Sequence, residues 1–222
     1  MFSRKTWHEK RIDYISDRWE GSLIHTKKNM FTIEEYRTLP PINPILDKNK
    51  WEKRKKMNYW GIRMDPSYIF ENAYLEITNY KKINFRFTHF PGAFLRNTDL
   101  RFTNFDFADL KGADLRDSIL HTASFVFTNL KYVRFDNADL TSARSFNSAS
   151  CDFADFCNAV LERADLRQGF FNWVDFTGAN LKGCHLEDLE FRNCNFEDAD
   201  LRGAHLQGTK FKKCQTKNAR FD

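Results

Sequence analysis

The sequence predicts a solenoid, a chain wound into stacked coils that turn a corner every five residues. Three observations carry this. From Phe70 to Phe221, with one interruption, a large apolar residue returns at every fifth position, and 28 of those 31 positions are Leu or Phe. A chain with this composition would supply about six by chance, so the repeat is a real internal period. A small residue, most often Ala, Thr or Cys, lies two positions before most of the large ones, and Asp or Asn often stands between them. Finally, a period of five fits neither the helical repeat nor strand alternation. A unit with one large and one small inward residue fills an interior from each side of a turning coil.

The clearest units run from Asn104 to Leu115, and ADLKG, ADLRD, ADLTS, ADLRQ, ANLKG and ADLRG share one pattern. That pattern resembles the pentapeptide-repeat family, A-[DN]-L-x-x, over about residues 68–222. The resemblance implies an all-β fold: a right-handed, quadrilateral β-helix with four repeats, or twenty residues, per coil. The repeats would make nearly eight coils. At about 4.8 Å per stacked strand, they would span on the order of 35–40 Å.

Twenty-residue coils place residues in columns. Phe85, Phe105 and Phe125 should stack, as should Phe156, Phe176 and Phe196, and Phe171, Phe191 and Phe211. Such ladders bury aromatic area in a quasi-one-dimensional core. The steps of five reach Leu140 and resume at Phe146, so Thr141–Ser145 carries one extra residue. A bulge at one corner would hold it and preserve stacking on both sides.

Two segments divide the chain: residues 1–65, an arm and cap, and residues 66–222, the solenoid with its register shift near 141–146. The formal net charge of +5 divides into about +6 on the arm and about −1 on the solenoid. The basic, aromatic start contains acids and no following apolar run, which argues against a secretory signal. No apolar run is long enough for a membrane-spanning helix. The prolines of LPPINPILD favour an extended path. The basic KNKWEKRKKMNYWGIRM suits a short helix capping the first coil. Trp51 and Trp60 suit such a cap, whereas Trp7 and Trp19 read as anchors that order against a partner.

Motifs for the common catalytic sites are missing from the sequence: it has no G-x-S-x-G, Walker A, GxGxxG or HExxH. No enzymatic activity and no cofactor are expected. The Asp and Asn of each repeat suit backbone hydrogen bonding instead. Five cysteines without a secretory signal suggest free thiols in a reducing, intracellular compartment rather than a secreted protein. Cys194 and Cys214, twenty apart, read as a core thiol pair within possible disulfide distance. Asp165, His185 and His205 fall in one column that could take a divalent metal, although solvated surface histidines are the commoner outcome.

The more informative departure concerns the second variable position, which should face outward and be polar. Phe87, Phe107 and Phe127 occupy it at twenty-residue spacing, and Tyr132, Phe153 and Trp173 form a second such column past the shift. A soluble rod has no structural need for two exposed aromatic stripes. Either the arm or another protein is expected to cover them. At the C-terminal end, an open β edge is flanked by Lys210, Lys212, Lys213, Lys217 and Arg220, and dimerisation there is a further option.

The sequence therefore favours a non-enzymatic protein-interaction module, an accessory or scaffold subunit of a larger complex. A short basic start suits a mitochondrial or other organellar home. The resemblance supplies an alternative, since some pentapeptide-repeat proteins mimic duplex DNA and bind type II topoisomerases. Residues 151–209 lean acidic, but the arm is basic. Nucleic-acid binding through Lys48, Lys50, Lys53, Arg54, Lys55 and Lys56 is a third reading, unsupported by any stacking platform.

Overall fold

A computed structural model of the chain describes residues 81–222. The expectations for the arm, its prolines and tryptophans, the capping helix, the first core positions and the 65/66 boundary lie outside the described residues.

The described chain climbs in parallel coils of twenty residues, about seven of them, and the repeat sets how each coil bonds to the next. The amide of a central residue donates to the carbonyl nineteen residues ahead, as from Phe85 to Asn104 at 2.7 Å and from Phe105 to Ser124 at 2.8 Å. The residue before the centre donates back to the small residue one coil below, as from Asn104 to Ile83 at 3.1 Å. Every coil between the first and the last described is thus held by both neighbours.

Between these contacts the chain must turn. The amide of the small residue bonds the carbonyl of the central residue three positions before it, as from Ala108 to Phe105 at 2.9 Å. The second variable residue between them has a positive φ, 61° at Phe107 and 70° at Gly112. A positive φ at the third position of an i to i+3 bonded turn is the type II geometry, which Gly and Asn tolerate best. The corners above Phe171, Phe191 and Phe211 open wider. There the chain continues as β1 (Phe171–Asn172), β2 (Glu190–Arg192) and β3 (Lys210–Lys212), a three-stranded parallel sheet in the order β1-β2-β3 with Phe171, Phe191 and Phe211 in register.

Asp and Asn before each centre fold back on the same strand. Asp109 Oδ1 accepts the Lys111 amide at 3.1 Å, and Asp175 Oδ1 accepts the Thr177 amide at 3.0 Å. Their abundance therefore has a local structural cause.

Central and small positions fill the interior without a gap from Ile83 to Leu201. Phe85 and Phe105 stack at 5.2 Å, Phe105 and Phe125 at 5.6 Å, Phe156 and Phe176 at 5.2 Å, and Phe176 and Phe196 at 4.8 Å. At the insertion, the step between paired residues lengthens from twenty (Ile119 to Asp139) to twenty-one (Ser124 to Ser145), then returns to twenty (Ser150 to Phe170). Phe125 and Phe146 still meet at 4.9 Å, tilted by 32°. The extra residue is absorbed within one coil, and both halves share one core.

The last coil has none above it among the described residues. Phe211 is only partly covered and Phe221 is exposed. Among these residues, no helix is long and apolar enough to cross a membrane.

Candidate functional site

Seven large aromatic side chains stand at the left-handed corners: Phe87, Phe102, Phe107, Phe127, Tyr132, Phe153 and Trp173, with φ between 54° and 63°. A bulky L-residue there pushes its Cβ towards the neighbouring carbonyl. The other corners mostly carry Gly, Asn, Asp, Ser or a basic residue. The aromatic corners are departures from what the turn favours.

Phe87, Phe107 and Phe127 share one corner in three successive coils. Their rings stack at 4.9 and 5.2 Å with interplanar angles of 17° and 11°, and they remain 39, 41 and 56% exposed. The Arg86 guanidinium lies 5.1 Å from the Phe87 ring centroid and 5.3 Å from that of Phe107. This is a flat, solvent-facing apolar strip with a cation at one end. Phe102, 40% exposed, marks a neighbouring corner, where Lys81 and Lys82 place their ammonium groups 5.7 and 5.4 Å from its ring. Sequence reasoning passed over Phe102, although the rule that found the ladder applies to it, because it has no aromatic partner twenty residues away.

The second column differs from expectation. Tyr132 and Phe153 stack at 5.2 Å, but Phe153 is only 3% exposed. Its ring is enclosed by Tyr132 in the coil below and by the next coil, where Trp173 takes the same corner and is itself half-buried. The column largely covers itself and is not an open stripe. Trp7 and Trp19 lie outside the described residues.

Of the expected metal column, His185 and His205 do come together, with ring centroids 4.5 Å apart and planes within 18°. Asp165 does not join them. Arg167 takes both its carboxylate oxygens, Nε to Oδ1 at 2.9 Å and the terminal nitrogen to Oδ2 at 2.8 Å. Burial pushes the Asp165 pKa up, but the pair with Arg167 outweighs it and the net shift is downward. Glu187 approaches His185 instead, with Oε1 3.2 Å from Nδ1. The sequence hides this because alternation along a strand, rather than stacking between coils, brings positions 185 and 187 to one face.

All five cysteines are free. Cys184 and Cys194 are buried at the small position, and their thiols point to carbonyls, Leu161 O at 2.8 Å and Phe171 O at 3.6 Å. Cys214 meets Cys194 but is only partly covered, at the open end.

Acids along the 151–209 face are engaged by bases. Asp200 is bonded by Arg202 at 2.8 and 2.9 Å and approached by Arg220 at 3.1 Å and Lys182 at 3.4 Å. Glu190 lies 2.6 Å from Lys212, and Glu197 lies 3.0 Å from Lys217.

A family model described as pentapeptide repeat region matches residues 145–221, and one described as pentapeptide repeats (8 copies) matches residues 81–117. The chain belongs to the pentapeptide-repeat family. Its described coils are those of that family's β-helix. Three solved structures are similar at this level. HetL, a pentapeptide repeat protein involved in heterocyst differentiation regulation from the cyanobacterium Nostoc, is 18% identical; the match covers 77% of this chain and 95% of HetL with a TM-score of 0.24. A pentapeptide repeat protein from the cyanobacterium Cyanothece is 21% identical over 79% of this chain and 99% of its own, with a TM-score of 0.22. Full-length QnrB1, a plasmid-mediated fluoroquinolone resistance protein, is 19% identical over 73% of this chain and 91% of its own, with a TM-score of 0.23. No curated protein matches the chain.

Proposed function

We propose that this pentapeptide-repeat protein is a non-enzymatic interaction module, an accessory or scaffold subunit that docks onto another protein through the Phe87–Phe107–Phe127 ladder. One observation carries the reading: three stacked phenyl rings remain open to solvent at corners whose backbone disfavours them. Residues held in such sparsely populated conformations cluster at functional and binding sites. Aromatic anchors exposed on a rigid scaffold are the side chains that supply most binding energy when a partner covers them. The occupant is a second polypeptide with an apolar face over the rings and an acidic group meeting Arg86.

Trp7 and Trp19 of the arm are proposed as further anchors, and Tyr132 and Trp173 as the rim of the same partner surface. Five free thiols suit a reducing interior, and a mitochondrial or other organellar complex is one such setting. The proposed whole is a basic arm and cap followed by nearly eight coils.

A photo-crosslinking residue placed at position 107 of the full chain, in the source cells, tests this. Capture of one separate, defined polypeptide, lost when Phe87 and Phe127 are both changed to Asn, is the expected result. A crosslink to the chain's own arm would mean an intramolecular cover, and a crosslink to a second copy would mean self-association; either overturns the reading. If the captured polypeptide is a type II topoisomerase and binding survives the double change, the acidic half is the surface and the DNA-mimic reading replaces this one. Nucleic-acid binding through the arm would appear instead as strongly salt-dependent retention of nucleic acid.

A further inference from the structure

We infer that His185, Glu187 and His205 form a binding site for a divalent cation of borderline softness, with Zn(II) as the fitting ion. The three residues each offer one ligand atom, and these atoms all lie within 4.8 Å of one another. The backbone holds them in place: His185 and His205 are paired across adjacent coils, and the Leu186 amide donates to the His205 carbonyl at 3.1 Å. Two imidazoles and a carboxylate are a donor set that suits Zn(II) and disfavours the hard cations. On a single tetrahedral Zn(II), neighbouring donors stand roughly 3.3 Å apart. Partly exposed side chains at a strand surface reach that spacing by rotating about their own χ angles.

A second observation points the same way. Glu187 Oε2 is buried and has no hydrogen-bond partner, while Oε1 takes His185. A buried carboxylate oxygen without a partner is uncommon and costly. A cation between the imidazoles would satisfy it.

The other triad of possible ligands, Asp155, Cys157 and Asp175, is less suited. Burial first, and then the neighbouring carboxylates Asp175 and Asp155, push the Cys157 thiol well above its usual range, so it holds its proton. The Thr177 hydroxyl and amide already occupy Asp175 Oδ1 at 2.5 and 3.0 Å.

Full-length protein stripped with chelator and titrated with Zn(II) against a chromophoric competitor tests the site, with Co(II) absorption reporting the donor type. Wild-type protein should bind one Zn(II) that His205→Gln weakens by about tenfold or more. Asp165→Asn and Cys157→Ser should each change the affinity less than about twofold, and the Co(II) spectrum should lack a thiolate charge-transfer band. Circular dichroism confirms that each variant keeps its coils. Zinc affinity unchanged in His205→Gln, its loss in Cys157→Ser, a thiolate band, or no uptake by wild-type protein would each overturn the site.

Discussion

Phe125 and Phe127 stand two residues apart in one repeat, and their substitution should have opposite consequences. Phe125 is fully buried, stacked on Phe105 at 5.6 Å and against Phe146 at 4.9 Å. Phe125→Ala removes about 3–5 kcal/mol of transfer and cavity energy. Near this chain length each kcal/mol shifts Tm by about 2–4 °C, so the loss is on the order of 6–20 °C. Phe127 is 56% exposed and has one stacked partner, Phe107 at 5.2 Å. Removing that stack costs about 1 kcal/mol, and the covered half of the ring about another 1 kcal/mol. Asn, which tolerates a positive φ, recovers about 1 kcal/mol of backbone strain. The net for Phe127→Asn is about 1 kcal/mol, a Tm shift of about 2–4 °C. Thermal unfolding followed by circular dichroism measures both, and the crosslinked partner's affinity measures the other half of the claim. Phe127→Asn should weaken binding while Tm barely moves. A Tm loss for Phe127→Asn comparable to that for Phe125→Ala would show that the ladder serves the fold and would remove the reason to assign it a partner.

Other outcomes follow from the charge and thiol arrangements. Hydrogen bonds from Arg202 lead the causes that hold the Asp200 carboxyl well below its ordinary range, so its contribution is present above the unfolded value near pH 3.9 and is lost as pH falls below it. Asp200→Asn should flatten the acid limb of a stability–pH profile below about pH 4; an unchanged limb would mean that other carboxylates set it. In native protein a thiol reagent should label Cys214 first, since the hydrogen bond with Cys194 leads the causes lowering its pKa and it is only partly covered. Cys151 is buried with its thiol pushed up, and Cys184 is pushed up to about 12. Cys214→Ser should therefore abolish the fast phase, and a fast phase that persists would place reactivity elsewhere. Gly112 has φ +70° and open space where a Cβ would stand, whereas a Cβ at Gly169 would come 2.7 Å from the buried Phe171 ring and 3.1 Å from the Leu166 carbonyl oxygen. Gly112→Ala should cost only the backbone strain, about 1 kcal/mol, and Gly169→Ala measurably more. Equal melting shifts would contradict that difference.

Much of the fold was legible because the solenoid's core is written locally. The central residue, the small residue and the twenty-residue column each follow from a position's place in its own repeat. That is why the Phe85–Phe105–Phe125 stack could be read from spacing alone. Exposure at the corners could not. Phe87 and Phe153 hold equivalent positions, yet Phe87 is open and Phe153 is enclosed, because exposure depends on what stands above and below in the column. Asp165 failed as a ligand for a related reason: its two oxygens are taken by Arg167, a pairing along the strand that column spacing does not reveal.

The same distinction separates the two surfaces of interest. In the Phe87–Phe107–Phe127 ladder, neighbouring rings cover one another's faces, yet all three remain well exposed at the corner. In the Tyr132–Phe153–Trp173 column, the twenty-one-residue step shifts the coils where the column begins, and Phe153 ends up enclosed. Phe127 also borders the twenty-one-residue step, with Ser148 at the corner above it, and stays open, whereas Phe153 lies between Tyr132 and Trp173. Removing the insertion separates the effect of the step from that of the ring neighbours. Deleting Arg144, which is exposed and lies within the extra-residue stretch, should restore an uninterrupted five-residue step with the coils intact. Labelling a cysteine placed at position 153 should then become faster. If that position stays as protected as before, the enclosure of Phe153 comes from its ring neighbours alone, and the insertion has no part in deciding which aromatic corner faces solvent.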